Sequence, residues 1–74
     1  MTDLTDAVEM AVDTEWRPTR EIVEKAGYEP TYSTVQSASR RLRALARQGR
    51  IERSEQVVPS AHGPRRRATW RRRA

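Results

Sequence analysis

The sequence predicts an α+β domain in which three helices are followed by a β-hairpin. Three observations support this prediction. Apolar residues recur at helical spacing in three separate segments of the first 48 residues. The helical period ends at Gly49, and residues 51–58 then have extended character. The run PSAHGP, residues 59–64, supplies the turn residues that join two strands of a hairpin.

The first two predicted helices are short. Helix 1 covers about residues 3–12, where four apolar residues share one face. They are Leu4, Ala7, Val8 and Ala11. Helix 2 covers about residues 20–26, with Thr19 expected to cap its start and Gly27 just past its end.

Three aromatic residues lie outside the apolar faces of these helices. Trp16 stands alone in the extended segment 13–18, and we expect it to pack into the core against the helices. Tyr28 and Tyr32 flank the connection to the third helix. Tyr28 is expected to pack inward, whereas Tyr32 can either pack or hydrogen-bond a phosphate.

The third helix is predicted over about residues 33–48, with Ser33 or Thr34 as its cap and Gly49 ending it. Its apolar stripe and its opposite face differ sharply in chemistry. The stripe consists of Val35, Ala38, Leu42, Leu45 and Ala46, and the opposite face of Ser33, Gln36, Ser37, Arg40, Arg43, Ala44 and Arg47.

Charge is segregated along the chain. Residues 1–34 carry eight acids and three bases, a net charge of −5, whereas residues 35–74 carry two acids and twelve bases, a net charge of +10. Between Val35 and Arg50 there are five arginines and no carboxylate, so no ion pair within the helix can offset their repulsion. This pattern favours a surface that meets an anionic partner over a merely solvated face.

The C-terminal hairpin is predicted over about residues 50–73. In its second strand Ala68 and Trp70 should point to the core, and the alternate residues Arg67, Thr69 and Arg71 should point away from it. Arg65 to Arg67 follow the turn and are favoured as contacts to an anion. Arg71 to Arg73 are equally consistent with phosphate contacts and with a solvated tail.

A family resemblance rests on Ser33, Thr34 and Val35, then Leu42 and Leu45, then Gly49 and the strand Ile51 to Arg53. This pattern resembles the third helix and following strand of bacterial winged helix-turn-helix regulators of the MarR-like and penicillinase-repressor-like kind. The segment REIVEKAG, residues 20–27, is similar to their second helix. The resemblance implies a winged helix-turn-helix fold, a recognition helix at 33–48, a hairpin wing and binding to double-stranded DNA.

For such a protein the chemistry of each side chain suggests a role. Gln36 can pair with an adenine edge and Arg40 with a guanine edge, while Ser33 and Ser37 can donate to bases or phosphates. The remaining candidate residues would contact the DNA backbone and provide affinity without sequence information. They are Arg41, Arg43, Arg47, Arg65, Arg66, Arg67 and Arg71.

Other functions find little support in the composition. The chain has no cysteine, and its one histidine, His62, lies in the turn segment, so we expect no metal, no cofactor and no enzymatic activity. The acidic start MTDLTDAVEM is unlike a signal peptide, and no apolar run suits a membrane span. We therefore expect a cytoplasmic, nucleoid-associated protein without a small-molecule effector, acting as a monomer or a homodimer.

Two alternative functions remain open. A winged-helix protein can serve as an adapter or inhibitor that binds a host protein through helix 1 and its acidic face. A basic domain of this size can also bind RNA or the nucleoid by shape and charge alone.

Overall fold

Residues 3–73 are described by a computed structural model, which has three helices and a three-stranded antiparallel sheet. The α+β class is thereby confirmed, and the layout is compatible with a winged-helix arrangement. In chain order the elements are α1 (Leu4–Ala11), β1 (Arg17–Pro18), α2 (Thr19–Lys25), α3 (Tyr32–Arg47), β2 (Ile51–Val58) and β3 (Arg65–Arg72).

The core lies between the three helices and the base of the hairpin. Every helix and both long strands contribute to it, because each presents its apolar face to the same interior. The buried apolar residues are Val8, Ala11, Val12, Ile22, Val23, Ala38, Leu42, Leu45, Ile51 and Trp70.

Trp70 joins the hairpin to the helices. Its indole is fully buried, and Nε1–H donates to Thr19 Oγ1 at 2.9 Å. The expectation that Thr19 caps helix 2 is therefore wrong, since Pro18 occupies the cap position and the Thr19 hydroxyl serves Trp70. A buried indole needs an acceptor, and this one comes from the first turn of α2.

The sheet contains a strand that the sequence did not predict. β1 has only two residues, and it pairs with the middle of β3 through Arg17↔Trp70 and Pro18↔Thr69. The strand order is β1-β3-β2. A proline fits this edge position because it needs to donate no hydrogen bond on the outer side.

The limits of α3 are set by local hydrogen bonds. Thr31, rather than Ser33 or Thr34, caps the start, with its Oγ1 accepting from the backbone N–H of Thr34 at 3.2 Å. At the other end Gly49 has φ 77°, and the N–H groups of Gly49 and Arg50 donate to the carbonyls of Ala46 and Leu45. This left-handed glycine cap turns the chain from the helix into β2.

The aromatic expectations were mostly wrong. Trp16 is 37% exposed and lies on the sheet face away from the core, where the guanidinium of Arg71 stacks 4.5 Å from its ring centroid. Its position follows from β1, which places the preceding residue beside the outer face of β3. Tyr28 is exposed rather than packed inward, and Tyr32 is 82% exposed.

Asp13 ties the segment before β1 to α2. Its carboxylate accepts from Lys25 Nζ at 2.6 Å, from Arg17 Nε at 2.7 Å and from the backbone N–H of Glu15 at 3.0 Å. The bonds from Lys25 and then Arg17 hold the pKa of Asp13 well below its usual range, and the same pairing raises the pKa of Arg17.

Candidate nucleic-acid interface

The outer face of α3 is exposed along its whole length. Ala38, Leu42 and Leu45 fix its rotation by packing into the core. The exposed side chains on the opposite face are Ser33, Gln36, Arg40, Arg43 and Arg47. Within residues 3–73 none of these three arginines forms an ion pair with a carboxylate. Their charges are thus available to an anionic ligand.

One face of the hairpin continues this surface. Residues that pair across β2 and β3 share a face, and Arg53 pairs with the core residue Trp70. Arg53 also lines a groove of about 390 Å³ together with Arg43, Ala46 and Arg47 of α3. The side of the hairpin that faces α3 therefore adds to the basic face of the helix.

We refer to this continuous region as the helix–hairpin surface. From α3 it includes Ser33, Gln36, Arg40, Arg43 and Arg47, and from the α3-facing side of the hairpin Arg53, Glu55, Val57 and Arg66. Six of the eleven predicted site residues belong to it.

Arg41 and Ser37 lie at the margin of this surface. Both are half-buried, and Arg41 Nη1 donates to the carbonyl of Ser37 at 3.3 Å. The Nε of Arg41 is buried without a hydrogen-bond partner within residues 3–73. Arg41 is thus folded along its own helix rather than directed outward from it.

Three predicted arginines lie on the other face of the hairpin. Alternation places Arg65, Arg67 and Arg71 opposite to Arg66. Arg71 is bound there, because its guanidinium pairs with Glu52 at 2.9 Å and stacks on Trp16. Arg65 and Arg67 are exposed and lie close to the turn. Arg67 also lines a groove together with Arg20 of α2 and Val35 of α3.

Arg50 and Arg72 stabilise the fold at the end of α1. Arg50 pairs with Glu9 at 3.1 Å. Arg72 donates from Nε to the carbonyl of Val12 at 3.2 Å and from Nη2 to that of Glu9 at 3.0 Å. A cation at this position satisfies carbonyls at a helix C-terminus and interacts favourably with the helix dipole.

Arg53 is the functional candidate that the sequence analysis missed. The structure buries Ile51 in the core, and strand alternation from Ile51 then places Arg53 on the same side. The guanidinium of Arg53 lies 5.7 Å from the ring centroid of Trp70, which helps to hold it toward α3.

The described residues contain no group of three or more His, Cys, Asp or Glu side chains placed to hold a metal ion. None of the helices in residues 3–73 is sufficiently long and apolar to cross a membrane. No protein-family model matches the chain, and neither does a curated protein or a solved structure.

Proposed function

We propose that this protein is a winged helix-turn-helix protein that binds double-stranded DNA with sequence preference, as a small transcriptional or mobile-element regulator. The observation that carries the proposal is the helix–hairpin surface. It joins three exposed arginines of α3, which have no carboxylate partner within residues 3–73, to Arg53 and Arg66 of the hairpin. DNA presents a dense row of phosphates that such a surface can neutralise.

The order of elements supports this proposal. A short α2, a connection of six residues and the longer α3 have the arrangement of a helix-turn-helix, and β2 and β3 have that of a wing. The exposed face of α3 carries short polar side chains near its start and arginines farther along. Such a helix fits the major groove, which is about 12 Å wide.

The side chains of this surface have two different roles in the proposed complex. Gln36 and Arg40 are suited to hydrogen-bond adenine and guanine edges, respectively. Arg43 and Arg47 of α3, with Arg53 and Arg66 of the hairpin, are placed to contact the DNA backbone and so to set the orientation of the helix. Arg71 has no part in this interface, because Glu52 and Trp16 hold it on the opposite face.

The proposal is tested by titrating labelled duplexes with the protein at several salt concentrations. Sequences selected from a random duplex pool should bind more tightly than random duplex. Between two and four phosphate contacts predict a slope of about −2 to −4 in log K against log salt. Lack of binding at low salt, or equal affinity for selected and random duplexes, would contradict the proposal.

A second candidate function is suggested by Met10. This residue is 75% exposed on α1 and lines a groove with the small residues Ala7 and Ala11. An exposed methionine is typical of surfaces that bind other proteins. An adapter working through α1 would retain its protein partner after Arg40, Arg43 and Arg47 are replaced, whereas DNA binding would be lost.

A further inference from the structure

One carboxylate interrupts the helix–hairpin surface. Glu55 is the only acidic residue of that surface, and it lies on the side of the hairpin that faces α3. The other acidic residue of the hairpin, Glu52, is on the opposite face with Arg71. The two carboxylates of β2 thus lie on opposite faces of the hairpin.

Glu55 contacts both hairpin arginines of the proposed interface. Its Oε1 accepts from Arg53 Nη2 at 3.0 Å, and its Oε2 lies 3.8 Å from Arg66 Nη1. The side chains of Glu55 and Arg53 are each 42% exposed, and that of Arg66 is 81% exposed. One carboxylate therefore bridges a strand neighbour and a residue of the facing strand.

Stabilisation of the hairpin is a weak reason for this arrangement. Ion pairs at such exposure contribute little to the stability of a fold. The base of the hairpin is already held by the buried side chains of Ile51 and Trp70. The effect of Glu55 on DNA binding should be larger than its effect on stability, because a carboxylate beside two phosphate-binding arginines competes directly with the phosphates.

On the basis of the proposed function, we propose that Glu55 is a specificity-determining residue that restrains Arg53 and Arg66 from binding arbitrary DNA. In the unbound protein Glu55 neutralises part of the charge of both arginines and holds Arg53 through a hydrogen bond. A duplex must replace this carboxylate with phosphate before either arginine can contribute fully.

Glu55 should weaken non-specific DNA complexes more than it weakens specific ones. A loosely docked, non-specific complex depends almost entirely on phosphate contacts, so it bears the full cost of competing with Glu55. A specific complex fixes the position of the hairpin through the base contacts of α3, and arginines already held in place lose less conformational entropy on binding. Glu55 thereby increases the ratio of specific to non-specific affinity.

The test compares Glu55→Gln with Glu52→Gln in the full chain. Both substitutions replace a carboxylate by an amide of the same shape and raise the net charge by one. Only the first releases arginines of the helix–hairpin surface, so the second controls for net charge. Melting curves establish that both variants fold, and labelled random and selected duplexes are then titrated at several salt concentrations.

For Glu55→Gln we expect the slope of log K against log salt on random duplex to steepen by about 1 to 2, one unit per released arginine. Random-duplex affinity at 0.15 M salt should rise about 5- to 25-fold on the same basis. Affinity for the selected sequence should change by less than about threefold, since lost preorganisation offsets the gain in charge. Glu52→Gln should change the affinities for random and selected duplexes, and the salt slope on random duplex, by less than about twofold.

Two results would overturn the role of Glu55 while leaving DNA binding intact. In one, the two variants bind random duplex with equal affinity and slope. In the other, Glu55→Gln weakens only the selected sequence, as expected if the carboxylate accepts a hydrogen bond from a cytosine. Failure of the wild type and both variants to bind any duplex at low salt would instead overturn the proposed function and the role of Glu55 together.

Discussion

The arginines of the α3 outer face and those at the base of the hairpin have the same chemistry but opposite surroundings. Arg40, Arg43 and Arg47 are exposed and meet no carboxylate within residues 3–73. Arg71 is held by Glu52 and Trp16, and Arg72 by the carbonyls at the end of α1. Residue type and run length therefore do not tell which arginines of a basic segment are open to a ligand; the face on which each arginine lies and the groups around it do.

The largest expected effect is on DNA affinity, when the exposed arginines of α3 are replaced. Replacing Arg40, Arg43 and Arg47 together by alanine should lower random-duplex affinity about 100-fold at 0.15 M salt and reduce the salt slope by about 2 to 3. Anisotropy titrations with a labelled duplex measure both quantities. The matched lysine triple variant keeps the charges and should retain random-duplex affinity within about fivefold. An alanine triple variant that binds like the wild type would remove α3 from the interface.

Within the helix–hairpin surface, base-reading and backbone-contacting arginines should differ. Arg40→Ala should weaken the selected sequence by about 1–3 kcal/mol, roughly 5- to 150-fold, and relax preference at one base pair. Arg43→Ala, at an arginine that Glu55 does not restrain, should weaken selected and random duplexes alike, by about fivefold at 0.15 M salt. Equal losses on both kinds of duplex for both variants would contradict this division.

At the base of the hairpin, Arg72→Ala should lower the stability of the fold rather than DNA affinity. Loss of its bonds to the carbonyls of Val12 and Glu9 is expected to cost about 1–2 kcal/mol, seen as a melting temperature lower by roughly 5–15 °C. Duplex affinity, measured well below that temperature, should stay within about threefold of the wild type. A stable variant with strongly reduced affinity would place Arg72 among the binding arginines instead.

The smallest effect concerns Asp13, far from the basic surface. Its folded-state pKa is depressed by Lys25 and Arg17, so the unfolded chain takes up the proton first as the pH falls. The stabilising contribution is complete above about pH 4, near the ordinary aspartate pKa, and is lost progressively below it. Asp13→Asn should be less stable than the wild type at pH 7, and the difference should shrink toward pH 2. A constant difference in urea midpoint between pH 7 and pH 2 would contradict this account.

The sequence alone predicted the helices and the two faces of α3, because helical periodicity assigns each residue to a side regardless of its partners. Val35 to Ala46 showed a continuous apolar stripe, and the structure buries Ala38, Leu42 and Leu45 of it. Turn residues likewise predicted a hairpin after Gly49. These features depend on the spacing of residues along the chain, which can be read directly from the sequence.

The remaining features depend on contacts between distant segments. β1 is two residues long and exists only because β3 lies beside it, so neither β1 nor the outward position of Trp16 could be derived from local pattern. The hydrogen-bond partners of Arg71 and Arg72 come from 19 and up to 63 residues away along the chain. Arg53 could have been found by extending strand alternation from Ile51, which requires knowing that Ile51 is buried.

The most direct test of the helix–hairpin surface follows the arginine Nε–Hε signals by NMR while unlabelled duplex is added. We expect the signals of Arg40, Arg43, Arg47 and Arg53 to shift with duplex concentration, while those of Arg71 and Arg72 stay in place. Shifts confined to Arg71, Arg72 or the arginines of α2 and β1, with the α3 signals unmoved, would contradict the proposed interface.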